Sequence, residues 1–200
     1  MQTKFRLCLL LMLSALYLYG CQQLPNRKST ALPTADKPTN VWPEHAVRAF
    51  REANQLRQQN PSDALLKYQQ CIKLAPTMEP CWFNYLKLAS EHSTANTSVE
   101  KIYQQIVNAK VRSGRIENLW GVILVNKGEI SKARSAFEKA LALEPQSISA
   151  TRNLAILLDL YLGETRKALA LYEKLQKLLA AKGQSEPRLA GWIADLKNRM

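Results

Sequence analysis

An internal repeat with a period near 34 residues is the feature of this sequence that most constrains its fold. Five pairs of similar residues stand 69 positions apart, which is two units of 34 plus one residue. These pairs are Ala64 and Ala133, Tyr68 and Phe137, Cys71 and Ala140, Leu74 and Leu143, and Pro76 and Pro145. A period of this length predicts a solenoid of stacked units, each of which contacts only its neighbours.

Each unit is predicted to be a pair of helices. Apolar residues recur three and four positions apart, as in Leu119, Val122 and Ile123, so each helix has one face to bury. Two helices alone cannot cover both faces, which favours stacking of about four pairs between residues 44 and 200. The last residues add an apolar stripe that predicts a capping helix, namely Leu189, Trp192, Ile193 and Leu196.

The segment GRIENLWGVILVNKGEISKARSAFEKALALEP, residues 114–145, resembles the tetratricopeptide repeat (TPR), a helical hairpin of about 34 residues. Gly121 stands where the family lets its two helices touch, and Glu117 stands where the family has Trp. The other signature positions hold Trp120, Leu124, Ala133, Phe137 and Pro145. The resemblance implies an all-α fold, a TPR-type α-solenoid of about four helix pairs plus a C-terminal capping helix.

The remaining units depart from the signature locally. The first, from about His45 to Pro76, has a turn that is one residue shorter. The second, which begins near Glu79, has a long polar turn and no clear Ala-x₃-Phe pair. The last has one additional residue near Gly163, which predicts a longer turn there.

Residues 1–20 have the three-part layout of a secretory signal peptide. Lys4 and Arg6 precede an uncharged run from Leu7 to Tyr19, and no acidic residue occurs before Asp36. At about 1.5 Å per residue the run covers roughly 20 Å, less than the ~30 Å hydrocarbon core of a bilayer. The alternative is a short anchor helix that is not cleaved.

The residues Leu18-Tyr19-Gly20-Cys21 resemble the lipobox of bacterial lipoprotein precursors, although Tyr19 departs from the family pattern. The resemblance implies cleavage before Cys21 and lipid attachment to that residue, which would hold the protein at a membrane. In enterobacterial lipoproteins an Asp directly after the lipidated Cys favours retention in the inner membrane. This chain has Gln22 at that position, so the resemblance implies the outer membrane, facing the periplasm. The alternative is cleavage at an ordinary signal-peptidase site.

Residues 21–43 are predicted to be a lipid-anchored flexible linker. Four prolines and many small polar residues interrupt any apolar periodicity there. The TPR domain with its capping helix is predicted to occupy residues 44–200.

Two further cysteines fall within the predicted TPR domain. Cys71 is near the end of one predicted helix and Cys81 near the start of the next, so a disulfide is expected if the two lie close in an oxidising periplasm. The alternative is a pair of small buried side chains. His45 and His92 are not at metal-ligand spacing from either cysteine, so no metal site is predicted.

The sequence offers little support for catalysis or for nucleic-acid binding. It has no Gly-rich phosphate loop, G-x-S-x-G or H-E-x-x-H motif, so no enzyme activity or cofactor is predicted. Removing Lys4 and Arg6 from the formal net charge of +12 leaves +10, but the cations are spread over all units and export would separate them from nucleic acid.

In TPR proteins the first helix of each repeat lines a concave surface, and the resemblance implies a protein or peptide ligand there. Asparagine amides suit contacts with a partner's backbone, and cations suit a carboxylate. The residues predicted to line this groove are Phe50, Asn54, Arg57, Phe83, Lys87, Asn118, Val122, Asn126, Arg152 and Ile156.

Anchor and repeats together resemble the TPR lipoproteins that help assemble type IV pilus secretins. The predicted function is therefore that of a non-catalytic scaffold for a multi-protein complex of the cell envelope. Two alternatives are an accessory protein of a TonB/ExbB/ExbD-type energy-transduction complex and a recruiter of peptidoglycan enzymes.

Overall fold

The computed structural model describes residues 42–92 and 98–200, and outside its turns and loops that part of the chain is helical. The predicted signal peptide of residues 1–20, the predicted lipidation site Cys21 and residues 21–41 of the predicted linker lie outside the described residues. No helix in the described ranges combines the length and the apolar character needed to cross a membrane.

The first two helix pairs lie between residues 44 and 108. They comprise α1 (Glu44–Leu56), α2 (Pro61–Leu74), α3 (Glu79–Glu91) and α4 (Val99–Asn108). The Asn60 side chain caps α2 by accepting a hydrogen bond from the Asp63 amide at 3.2 Å, and Pro61 needs no hydrogen-bond partner in the first turn.

The second half of the solenoid contains two further pairs and a last helix. Its helices are α5 (Gly114–Asn126), α6 (Ile130–Leu143), α7 (Ile148–Ile156), α8 (Thr165–Ala180) and α9 (Leu189–Asn198). The helix α7 continues directly into a π-helical turn, Leu157–Tyr161. The described residues therefore form four helix pairs and a capping helix, as the sequence predicts.

Close approach within the third pair depends on a glycine. A Cβ atom on Gly121 of α5 would lie 2.5 Å from the Phe137 ring of α6, so only glycine fits without movement of that ring. Phe137 and Ala133 are fully buried. The close contact of the two helices at Gly121 that the signature implies is present.

The sequence predicts that the additional residue of the fourth unit lengthens the turn near Gly163. In the structure the additional residue lies instead at the end of the preceding helix. Gly128 and Gly163 both have positive φ angles, 75° and 65°, and each stands five residues before a buried alanine, Ala133 or Ala168. The two turns are thus equally long. The π-helical turn at the end of α7 accommodates the additional residue, because π-helical bonding takes more residues per turn than α-helical bonding.

The capping helix α9 closes the end of the core. Leu189, Ile193 and Leu196 are buried in the same cluster as Tyr172 of α8. Trp192 packs on Tyr172 with ring centroids 5.6 Å apart. The last helix pair is therefore covered and does not expose an apolar end.

Candidate protein-binding groove

The first helices of successive pairs form one continuous face, which we call the inner face. Helix α3 packs against α5, and α5 packs against α7. All ten residues predicted for the groove lie on α1, α3, α5 and α7 or, in the case of Arg57, directly after α1.

Two asparagines of the inner face use their side-chain oxygens within the protein. Asn54 Oδ1 accepts hydrogen bonds from the Tyr68 hydroxyl at 2.6 Å and from Asn84 Nδ2 at 2.9 Å. Asn118 Oδ1 accepts one from Asn153 Nδ2 at 2.9 Å. These amides join neighbouring first helices, so their oxygens contribute to the geometry of the face.

Arg152 of α7 already binds a carboxylate of its own chain. Its Nε and Nη2 atoms donate to Glu186 Oε2 at 3.0 and 2.7 Å. Glu186 precedes α9, so the pair ties the inner face to the capping segment. The sequence predicts that the Arg152 guanidinium binds a partner's carboxylate, but in this conformation it binds Glu186.

The aromatic residues of the inner face are half-buried in intramolecular contacts. Phe50 packs on Tyr68 with ring centroids 6.2 Å apart, and the Arg115 guanidinium lies 4.3 Å from the centroid of the Phe83 ring. Burial raises the pKa of the Tyr68 hydroxyl, and the charge of Arg57 partly opposes that rise.

Three predicted residues, Lys87, Val122 and Asn126, come together in a cleft of about 720 Å³ between α3 and α5. Its remaining lining consists of Ser90, Glu91, Ser98, Val99, Glu100, Leu119, Ile123 and Lys127. Leu119, Val122 and Ile123 provide apolar surface from α5.

Ion pairs neutralise the charges of this cleft. Lys87 lies 3.9 Å from Glu91, and Lys127 pairs with Glu100. The cleft therefore offers apolar surface and polar edges without a large excess of either charge, which suits an uncharged side chain more than an ionised one.

A smaller pocket of about 170 Å³ continues the cleft towards α7. Val122 lines both cavities, and Ile156, also predicted, lines the second together with Tyr161. Tyr161 is 54% exposed and its neighbour Leu160 is 71% exposed, high values for large apolar side chains. We call the cavity-lining residues Leu119, Val122, Ile156 and Tyr161 the apolar strip.

Sequence reasoning missed two members of this strip, Leu119 and Tyr161. Leu119 was visible as part of the amphipathic pattern but was assigned to the core. The position of Tyr161 follows from the π-helical turn, whose sequence signal is the additional residue near Gly163.

Cys71 at the end of α2 and Cys81 at the start of α3 form a disulfide in the structure, with Cα atoms 6.2 Å apart. Both residues are fully buried beside Met78. No group of three potential ligands among the described His, Cys, Asp and Glu residues could hold a metal ion.

A buried carboxylate connects three helices on another side of α5. Glu117 is only 6% exposed and accepts a hydrogen bond from the Tyr103 hydroxyl of α4 at 2.7 Å. Its other oxygen forms an ion pair with Lys139 Nζ of α6 at 2.8 Å. Burial and the Glu117 hydrogen bond raise the pKa of Tyr103 to about 12. The hydrogen bond to Glu117 also raises the pKa of Lys139, which favours its charged form. Both oxygens of this carboxylate are thus engaged in holding helices together.

Comparison with known proteins agrees with this architecture. The family model for the tetratricopeptide repeat matches residues 119–147, which cover most of the third helix pair. The fold is a TPR-type α-solenoid. No curated protein sequence matches the chain.

Solved TPR structures share the fold at low sequence identity. PilF of Pseudomonas aeruginosa matches with a TM-score of 0.63 and 17% identity, over 78% of this chain and 69% of that chain. MamA matches with a TM-score of 0.61 and 18% identity, over 78% and 82% of the two chains. YrrB, a TPR protein with an unusual peptide-binding site, matches with a TM-score of 0.53 and 15% identity, over 76% and 87%.

Proposed function

We propose that this chain is a non-catalytic scaffold that binds a partner protein along its inner face and helps to assemble a multi-protein complex of the cell envelope. The observation that carries the proposal is the apolar strip. Its two cavities share Val122 and cross three successive first helices. An extended peptide or an amphipathic helix would bury this surface, and burying apolar surface is the main favourable term in such associations.

The proposed site is narrower than the groove predicted from sequence. Lys87, Val122, Asn126 and Ile156 line open cavities. The other predicted residues are engaged in contacts within the protein, or lie towards the first pair. We therefore assign the binding energy to α3, α5 and α7.

We further propose that lipid on Cys21 attaches the chain to the outer membrane, facing the periplasm. The lipobox-like sequence supports this. At about 0.8 kcal/mol per buried CH₂, several acyl chains would hold the protein almost permanently. Mass spectrometry of the mature N-terminus tests it directly. A triacylated Cys21 is the expected result, while a free Gln22 or a retained Met1 would contradict it.

Type IV pilus or secretin biogenesis is the complex we favour. PilF of Pseudomonas aeruginosa is among the solved structures with this fold, and the anchor and repeats together resemble the TPR lipoproteins that help assemble type IV pilus secretins. The test is the amount of detergent-resistant secretin multimer in cells that lack the gene. Loss of multimers is expected, and unchanged multimers together with normal pili would contradict this assignment.

A matched pair of substitutions connects the groove to that function. Val122→Asp places a charge in the middle of the apolar strip, and Leu66→Asp places one at an exposed site, 62% accessible, on the second helix α2. We expect V122D to abolish complementation and L66D to retain it, with equal amounts of folded protein. Tyr161→Ala serves as a milder variant on the rim of the strip. Full complementation by both V122D and Y161A would contradict the groove.

A further inference from the structure

A basic pocket of about 190 Å³ lies beside the turn between α4 and α5, and it shares no lining residue with the two cavities of the inner face. Its cations are Lys110, Arg112 and Lys139, and Glu117 is the acid among its lining residues. Val107, 44% exposed, is part of an apolar wall. Nothing in the proposed scaffold function uses this pocket.

The pocket carries positive charge that the surrounding protein does not neutralise. Glu117 is already bound by Tyr103 and Lys139, so its two oxygens are occupied. Lys110 and Arg112 take part in none of the ion pairs among the described residues. Two cations therefore face the pocket without a carboxylate.

The backbone at Lys110 is strained, and two other helix ends show how that strain is usually avoided. The Lys110 amide bonds the Val107 carbonyl at 3.0 Å and the Val111 amide bonds the Ile106 carbonyl at 3.3 Å, which is the Schellman pattern of helix C-termini. The same pattern ends α5 at Gly128 and α8 at Gly183.

In the described residues Lys110 is the one non-glycine residue with a positive φ angle, 55°, a conformation that is unfavourable for an L-residue because Cβ comes too close to the following carbonyl oxygen. A glycine would satisfy the same turn without that cost. Lys110 therefore places a long basic side chain where glycine would be less strained, and such backbone outliers cluster at functional sites.

We propose that the basic pocket binds a phosphate group, either free or on a lipid headgroup, between Lys110 and Arg112. Two uncompensated cations match the charge of a phosphate monoester, about −1.5 to −2 at neutral pH. The Arg112 guanidinium can donate two parallel hydrogen bonds to phosphate oxygens, and the Lys110 ammonium adds a point charge. The exposed Val107 leaves room for an apolar part of the ligand beside the anion.

Lysine footprinting of the full chain in detergent tests the site. An amine-reactive ester is applied in phosphate and in chloride of equal ionic strength, and modification is read by mass spectrometry. We expect phosphate to reduce modification of Lys110 about tenfold, the effect of a site that is about nine-tenths occupied, and to leave Lys101 unchanged. Lys101 is an exposed lysine at the opposite end of α4, outside the pocket. Equal protection of the two lysines, or no protection, would overturn the proposal.

Two variants test whether Lys110 and Arg112 hold the phosphate. Arg112→Gln should remove the protection of Lys110. Lys110→Gly should raise the Tm in phosphate-free buffer, because the strain is relieved, and should lose the Tm increase that phosphate gives the unaltered chain. If K110G lowers the Tm or keeps the phosphate response, the proposal is wrong.

Reconstitution in phosphatidylcholine vesicles with or without phosphatidic acid identifies the source of the phosphate. Protection of Lys110 only with phosphatidic acid assigns a lipid headgroup, and protection by inorganic phosphate alone assigns a free phosphate. Stronger protection by succinate than by phosphate would overturn the phosphate assignment in favour of a carboxylate ligand.

Discussion

The junction between the first and second helix pairs and the junction between the second and third are held together by different chemistry. At the first junction, the Cys71–Cys81 disulfide joins α2 to α3 covalently, and Asn54 binds Asn84. At the second junction the described residues form no disulfide. The Tyr103 ring stacks on Trp120 at 4.3 Å between centroids with planes 7° apart, and the Tyr103 hydroxyl binds buried Glu117.

The difference shows how this solenoid tolerates its most irregular repeat. The second pair lacks the Ala-x₃-Phe interlock, and its second helix α4 has only ten residues. In a solenoid each pair depends on its neighbours for stability, so a weak pair needs strong junctions. Here one junction restrains the second pair by a covalent bond and the other by aromatic and polar contacts.

Among changes at the two junctions, the largest decrease in the free energy of unfolding is expected from removing the aromatic stack of the second junction. Trp120→Ala should lower the free energy of unfolding by about 3–4 kcal/mol, because a large side chain shared by two core clusters is lost. Urea denaturation followed by tyrosine fluorescence measures it. Trp192→Ala in the capping helix is the matched control and should cost less, because it affects only the end of the solenoid. A larger loss for W192A would contradict the importance of the second junction.

Removing the disulfide of the first junction is expected to have the next largest effect. Cys71→Ala with Cys81→Ala should cost about 2–3 kcal/mol, since the crosslink closes a short loop and restrains the unfolded chain. The double variant should unfold at the same urea concentration with and without reductant, whereas the unaltered chain should lose stability when reduced. Equal stability of the double variant and the oxidised chain would contradict a stabilising role.

Neutralising the carboxylate of the second junction should have a smaller effect. Glu117→Gln preserves shape and leaves an oxygen for the Tyr103 hydroxyl, but the Lys139 ammonium loses its partner. Lys139 is 56% exposed, so water compensates much of that loss and about 1–2 kcal/mol is expected. A double-mutant cycle with Lys139→Met isolates the pair. A coupling energy of zero would show that Glu117 acts through Tyr103 alone.

The smallest expected effect is a decline of stability at alkaline pH. The folded-state pKa of Tyr103, about 12, is above its unfolded value near 10, so the neutral phenol is favoured in the folded protein. Its contribution is complete below pH 10 and is lost as the pH rises from 10 towards 12.

Urea midpoints between pH 9 and 11.5 measure this decline. Tyr103→Phe should reduce the slope but not remove it, because the pKa of Tyr172 is also raised to about 12, chiefly by burial. An unchanged slope in Y103F would contradict the buried hydrogen bond to Glu117.

The comparison also shows which features a sequence can reveal. The repeat period and the signature residues Gly121 and Phe137 predicted the stacked pairs, because those interactions recur at fixed spacing within one unit. Contacts between units, such as Tyr103 with Trp120 and Glu117, depend on how two pairs are oriented, and the spacing of residues carries no record of that. Glu117 was visible only as a departure from the family pattern.

The site was predicted less completely than the fold. Register placed the groove residues on the inner face but could not show that Asn118 and Arg152 bind partners within the protein. The apolar strip depends on a π-helical turn, and an additional residue near a glycine looks the same in sequence whether the turn or the helix accommodates it. Tyr161 therefore became a candidate only once the course of the helix was known.

Site-specific photocrosslinking in cells measures most directly whether the inner face of α3, α5 and α7 binds a partner protein. A photoreactive amino acid is placed at Val122 in the apolar strip and, in a second strain, at Leu66 on α2. We expect a discrete crosslinked species from position 122 that is absent from position 66 and is weakened when Tyr161→Ala is added. The same species from position 66, or none from position 122 in cells that assemble the complex, would contradict this expectation.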